Sequence, residues 1–323
     1  MKLTNEQLKA VAFGAVETRE EPEGLRFFKC TQKQINAWQA LEPVLGDRAR
    51  STTGVRLDFH TDAKAIRFLL SDGNKTEVLI DGVFRAQYRM KTLREKGEVA
   101  ELPLCDALSR PLSSCRVTLA LPSHDDGGRI AFVELVDATY CRPHEHKCRM
   151  LMIGDSITQG WNSAHDTFSY AWRVTNHFDA DSIIQGVGGG FYHESTFDEI
   201  GFDPDIVTVA YGTNDYGHYK TFNEAMTHAR AFLSLIAKKY QGKKIFVITP
   251  IWRADRDKAM GDFGHLCDLY RELALSLSLI PVDGLLLEPP MPEFYADEFL
   301  HPHDLGFSLY AERLIVEMEK HLL

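Results

Sequence analysis

The sequence predicts two domains: an all-β sandwich over residues 1–145 and a three-layer α/β/α domain on a parallel sheet over residues 146–323. Three observations carry this expectation. A chain of 323 residues is long enough for roughly two domains. Between Gly24 and about Tyr140, short runs with alternating apolar residues are separated by turn formers. Beyond Met150, continuous apolar runs alternate with helical stretches, as in a parallel sheet covered on both faces.

Taken in order, Thr4 to Gln7 forms a capping box that opens a short helix through about Phe13. The runs "LRFFKC", "GVRLDFHT", "KAIRFLL", "TEVLIDGVFRAQY", "GEVAELPL", "CRVTLALP" and "RIAFVELVDATY" then read as strands. "SDGNK", "IDG" and "SHDDGG" read as their turns. Alternation in "VRLDFH" and "CRVTLAL" buries one face of each strand, which implies an antiparallel, jelly-roll-like sandwich. "CRPHEHKC" holds Cys141, His144, His146 and Cys148 but lacks the paired C-x2-C spacing of a zinc site, so it reads as a solvated linker.

After this linker come "RMLMIG", "SIIQG", "DIVTVAYG", "KIFVITP" and "LIPVDG", the expected parallel strands. "TFNEAMTHARAFLSLIAKKYQG" and "LGFSLYAERLIVEMEKHLL" are the clearest helices; the apolar stripe of the first is core. No internal repeat or low-complexity tract interrupts the pattern.

Charge narrows the partners. The 46 acidic residues outnumber the 36 Lys and Arg, and the net charge of −10 without a basic patch argues against nucleic acid and anionic membranes. "MKLTNEQLKAVAFGAVET" lacks the apolar core of a secretory signal, and no run approaches the roughly 18 apolar residues of a spanning helix. Cys30, Cys105, Cys115, Cys141, Cys148 and Cys267 are scattered, which suits a reducing compartment. The expectation is a soluble cytoplasmic protein, with homo-oligomerisation left open.

Four stretches hold the candidate chemistry. "GDSIT" ends the first parallel strand with Asp155 and Ser156, where a helix cap is the ordinary reading. "IIQGVGGGFY" follows the second strand with glycines whose N–H groups can approach a developing anion; the ordinary reading is a tight turn. "GTND" ends the third strand with Asn214, a side-chain N–H donor or simply a turn residue. "YADEFLHPHDLG" precedes the last helix, with Asp297 and Glu298 ahead of His301; most single histidines are structural. Together they place a hydroxyl, anion donors and a histidine base at the crevice where strand C-termini open.

These four blocks, in this order, resemble the SGNH, or GDSL-type, hydrolase family over residues 146–323. The resemblance implies a flavodoxin-like catalytic fold and acyl transfer without metal or cofactor. It assigns Ser156 as nucleophile, His301 as general base, and Ser156, Gly189 and Asn214 as the oxyanion hole, with Gly188 or Gly190 as one-residue alternatives to Gly189. Ile184 stands where the family usually has Asn, and Glu298 where it has Asp three residues before the histidine. The acid orienting His301 is therefore Glu298, Asp297 or a backbone carbonyl.

A β-sandwich ahead of such a domain is similar in architecture to two-domain bacterial carbohydrate esterases, which implies an oligosaccharide or small-molecule ester substrate and removal of O-acetyl groups. Asp155, Trp161, Asn162, Tyr216, Trp252 and Arg253 lie near the strand ends as candidate substrate contacts, with Tyr192 and Tyr219 as further aromatics for sugar stacking. The alternatives are a lysophospholipase or thioesterase acting on longer acyl chains, and a carbohydrate-binding protein without activity.

Overall fold

The computed structural model describes residues 1–106, 109–124 and 127–322. The chain divides into two compact units, one of Met1–Lys29 with Arg50–His146 and one of Cys30–Ala49 with Lys147–Leu323.

The first unit holds two antiparallel sheets. One runs Ala12–Phe13, Arg56–Thr61, Cys115–Ala120, Lys75–Ile80, Val83–Arg89, with Cys141–Pro143 also paired to Arg56–Thr61. The other runs Glu17–Glu21, Gly24–Phe28, Arg129–Val136, Ala65–Asp72, Ala100–Pro103. Phe59, Val78 and Val117 from the first sheet share one buried cluster with Phe27, Phe68 and Val133 from the second, so the sheets pack face to face. Thr4 and Gln7 do form their capping box, but the helix is only Asn5–Ala10. Ala12 and Phe13 instead pair with Leu57 and Arg56, because an open sheet edge offers their backbone groups better partners than an extra helical turn.

The expected solvated linker is a correction. Arg142 pairs with His60, and the His146 side chain is only 4% exposed beside Asp58. Burial pushes the His146 imidazole down to about 4, so it packs as a neutral ring edge-on to Phe13.

The second unit contains five parallel strands: β1 (Cys148–Gly154), β2 (Ala180–Gly186), β3 (Ile206–Ala210), β4 (Lys244–Ile248) and β5 (Ile280–Val282). Their spatial order is β2-β1-β3-β4-β5. Met150 to Gly154 are all buried, as expected for a central strand covered on both faces. Its helices are α1 (Gln32–Leu41), α2 (Pro43–Ala49), α3 (Ser156–Gln159), α4 (Tyr170–Phe178), α5 (Asp215–His218), α6 (Phe222–Lys239), α7 (Phe263–Ser276) and α8 (Asp304–Leu322). The α/β/α architecture anticipated from the apolar runs is thus present, and no helix among the described residues is long and apolar enough to cross a membrane.

The later boundary, between His146 and Lys147, falls beside the expected break, but an early segment of the chain lies in the other unit. Helices α1 and α2 belong to the second unit although they come early in the chain. Thr31 and Gln34 form the capping box that starts α1. Trp38, 2% exposed, meets the rings of Phe191 and Tyr211, and the amides of Gln34 and Gln185 bond each other at 3.1 and 3.0 Å. An apolar face of this size must be buried somewhere, and the second unit is where its partners lie.

Two carboxyls sit buried beneath the strand ends. Asp155 caps α3 by accepting the Ile157 N–H at 2.9 Å, and Asp215 accepts the Tyr270 hydroxyl at 3.0 Å and the Tyr192 N–H at 3.3 Å. Burial pushes both up to about 7, against the pull of those donors. From an ordinary carboxylate value of about 4 up to about 7, the folded chain therefore holds protons that the unfolded chain has released. Stability must fall as pH rises through that window. Asp215→Asn removes one of these groups while keeping an acceptor, so urea unfolding between about pH 4 and about pH 8 should show a flatter decline than wild type. Equal declines would contradict the assignment.

Candidate active site

The apolar run of β1 stops at Gly154 because nothing larger fits. A Cβ there would lie 2.1 Å from the Thr158 hydroxyl oxygen and 2.8 Å from the Ala210 carbonyl oxygen. The chain then turns at once into α3, whose first residue is Ser156. Register brings the neighbouring turns alongside: Gly154 is level with Gly186 on β2 and with Ala210 on β3. The glycine turn and the Asn214 turn thus flank Ser156.

Ser156 is 5% exposed, and its Oγ lies 2.9 Å from His301 Nε2, 145 residues along the chain. On the other side of the ring, Nδ1 lies 2.6 Å from Asp297 Oδ2. The second Asp297 oxygen accepts the backbone N–H groups of Phe299, Leu300 and His301 at 3.0, 2.8 and 3.0 Å. Burial alone would raise the Asp297 carboxyl, but the Leu300 N–H and the His301 ring outweigh it and hold the group below its ordinary value. An ionised Asp297 accepts the hydrogen bond from Nδ1–H, which keeps the proton on Nδ1 and leaves the Nε2 lone pair facing the serine hydroxyl. The loop itself is closed by the Ala296 N–H donating to the His301 carbonyl at 2.8 Å and by the Ala254 N–H donating to the Phe299 carbonyl at 2.9 Å.

Glu298, the residue at the family's usual acid position, does not meet the ring. Its backbone is left-handed, with φ of 57°, and its side chain is exposed. The tight turn from Tyr295 to His301 brings the carboxylate four residues back, not three, onto Nδ1.

The glycine turn offers one N–H by elimination. Gly188 N–H donates to Gln159 Oε1 at 2.7 Å, and Gly190 N–H donates to the Val187 carbonyl at 2.8 Å. Among the described residues the Gly189 N–H has no acceptor, and φ of 81° at this position favours glycine. Asn214 donates one Nδ2 hydrogen to the Gly190 carbonyl at 2.9 Å, which leaves its second hydrogen available. Ser156 opens α3, where backbone N–H groups have no partner within the helix.

The expected substrate contacts divide. Asp155, Tyr216 and Arg253 are 2%, 0% and 6% exposed, with their polar groups bonded inside the protein. Asp155 caps α3, the Tyr216 hydroxyl donates to the Gly261 carbonyl, and Arg253 is held by the Thr213 carbonyl and Asp255. Tyr192 and Tyr219 are likewise buried, the Tyr219 hydroxyl donating to the Tyr192 carbonyl. Trp161 and Trp252 stay half-buried and Asn162 is exposed, so these three keep surface to offer. Sequence reasoning missed Gln159 and Arg48, which bond the glycine turn; Gln159 ends α3 just after the GDSIT stretch, and Arg48 lies on α2, outside all four blocks.

His193, Glu194 and His228 also converge, with potential ligand atoms within 4.8 Å of one another. The two imidazoles stack with centroids 4.7 Å apart at 19°. An ion about 2.1 Å from a nitrogen of each would lie far out of both ring planes, so the cluster suits the hydrogen bond from His228 to Glu194 rather than a metal.

Residues 152–309 match the family described as GDSL-like lipase/acylhydrolase. No curated protein sequence matches the chain. Among solved structures, the salicylyl-acyltransferase SsfX3 of a tetracycline biosynthetic pathway is similar with a TM-score of 0.74 at 17% identity, over 97% of this chain and 94% of that one. A family two carbohydrate esterase from Cellvibrio japonicus gives 0.68 at 14% identity, over 97% and 96% of the two chains. One from Clostridium thermocellum, in complex with cellohexaose, gives 0.64 at 14% identity, over 96% and 98%. At such identities the likeness bears on the fold, which these structures share over both units of the chain. The sequence match, the five-stranded parallel sheet and the turns that end its strands together make the C-terminal part of this chain a domain of the GDSL-like lipase/acylhydrolase family.

Proposed function

We propose that this protein is a serine esterase that removes small acyl groups, acetyl above all, from carbohydrate. One observation carries the reading: Ser156 Oγ, His301 and Asp297 form a continuous line of contacts at 2.9 and 2.6 Å.

In this reading His301 Nε2 takes the Ser156 proton as Oγ attacks the ester carbonyl. Asp297 fixes the ring and stabilises the imidazolium that forms. The Ser156 and Gly189 N–H groups and the Asn214 amide hold the oxyanion. His301 then returns the proton to the departing sugar hydroxyl, and water repeats the sequence in reverse to release the acid. Every proton in the cycle passes through Nε2.

The carbohydrate part is supported by the architecture shared with family two carbohydrate esterases and by the surface of Trp161 and Trp252, whose flat apolar rings suit sugar faces. Mass spectrometry of acetylated oligosaccharides should show loss of single acetyl groups with wild type. Ser156→Ala should be slower by a factor on the order of 10⁴ or more. Equal turnover of p-nitrophenyl acetate and a long-chain p-nitrophenyl ester would overturn the small-acyl preference. Failure of Ser156 to react with a fluorophosphonate, together with no ester turnover, would overturn the esterase.

The two neighbouring acids separate cleanly. Asp297→Asn should lower kcat about 10²- to 10⁴-fold, because the ring loses its tautomer control. Glu298→Gln should leave kcat within about twofold of wild type, since only Asp297 touches His301. The reverse order would return the acid's role to Glu298.

A further inference from the structure

The Gly188–Gly189 peptide is the least self-determined part of the site. Glycine on both sides leaves that unit without the Cβ atoms that normally restrict rotation, so its N–H can face either way unless something holds it. Two side chains do. Gln159 takes the Gly188 N–H at 2.7 Å, and Arg48 Nη1 donates to the Gly188 carbonyl at 3.0 Å.

The second bond matters more than its length suggests. A peptide unit is planar and trans, so the carbonyl of Gly188 and the N–H of Gly189 point in opposite directions. A donor fixed on the carbonyl therefore fixes where the Gly189 N–H points: away from Arg48. The donor is charged, which strengthens the hydrogen bond roughly twofold over a neutral one. It also draws electron density through the amide, making the N–H on the far side a better donor.

Arg48 is itself braced. Its guanidinium lies over the Trp161 ring at 5.0 Å, and Arg48 Nη1 and Leu45 Cδ2 lie 3.2 and 3.1 Å from where a Gly189 Cβ would be. Helix α2 thus covers the face of the turn opposite its free N–H.

We propose that Arg48 is a positioning residue for acyl transfer: through the Gly188 carbonyl it orients and polarises the Gly189 N–H that receives the oxyanion. This rests on the esterase reading above and adds to it a residue from a helix far from any of the four sequence blocks. Arg48 touches no reacting atom. Its effect should therefore fall on the transition state more than on substrate binding.

The test is p-nitrophenyl acetate hydrolysis by Arg48→Met and Arg48→Lys, with thermal unfolding of each and the rate of Ser156 phosphonylation by a fluorophosphonate. Arg48→Met should lower kcat and the phosphonylation rate about 10- to 100-fold with KM little changed, a part of what a lost oxyanion donor costs. Arg48→Lys, able to donate to the same carbonyl, should recover part of both rates. Should Arg48→Met fail to fold, Arg48→Gln against Arg48→Lys reads the same contrast between a neutral and a charged donor, with Lys expected faster. Wild-type kcat in the neutral variant overturns the proposal, as does a parallel fall in kcat, KM and thermal midpoint that Lys does not relieve. Wild-type protein inert to both ester and fluorophosphonate overturns the esterase reading, and the role of Arg48 with it.

Discussion

The site depends first on the register of three parallel strands. Gly154, Gly186 and Ala210 lie level, so the turns after β1, β2 and β3 leave the sheet side by side. Small residues at this level are a steric requirement as well as a pattern. A Cβ at Gly186 would lie 2.4 Å from the Gln159 backbone nitrogen, so the second turn can approach α3 only because that position has none. Shift one strand by a residue and the hydroxyl, the glycine turn and Asn214 no longer share a crevice.

The histidine is placed by different physics. No strand carries it; it arrives on an irregular loop ahead of α8, and such a loop needs its own fasteners. Asp297 supplies most of them. One oxygen gathers three backbone N–H groups and the other holds the ring, so the same carboxylate shapes the loop and sets the tautomer. This dual use explains why the group stays ionised despite partial burial.

That loop also shows where sequence reading reaches its limit. The parallel sheet and the turns that hold Ser156, Asn214 and His301 were legible because periodicity and turn chemistry act over a few residues. The choice between Asp297 and Glu298 was not, because both are within a turn of His301 and only the fold of the loop decides which faces Nδ1. The burial of several candidate substrate residues was out of reach for a related reason. Tyr216 and Arg253 sit near strand ends, but proximity along the chain does not say whether a side chain points outward or fills the layer beneath. The buried Arg253, paired with Asp255, is a packing element of that layer. Helices α1 and α2 were missed inside a β-rich region although the Thr31–Gln34 capping box and the spacing of Ile35 and Trp38 signalled them.

Those two helices complete the physical logic of the glycine turn. In the proposed reading the Gly189 N–H must point at a transient anion, so the protein cannot satisfy it in the resting state, and an unrestrained glycine peptide would turn to satisfy it. The restraint has to act on the opposite side of the same peptide, from a group that does not compete for the N–H. A guanidinium, which only donates, meets that requirement at the carbonyl and cannot accept the hydrogen it is orienting. Supplied from α2, its influence passes through the planar amide. The early departure of the chain from the β sandwich into residues 30–49 thus brings to the hydrolase domain a support that its own four blocks do not contain.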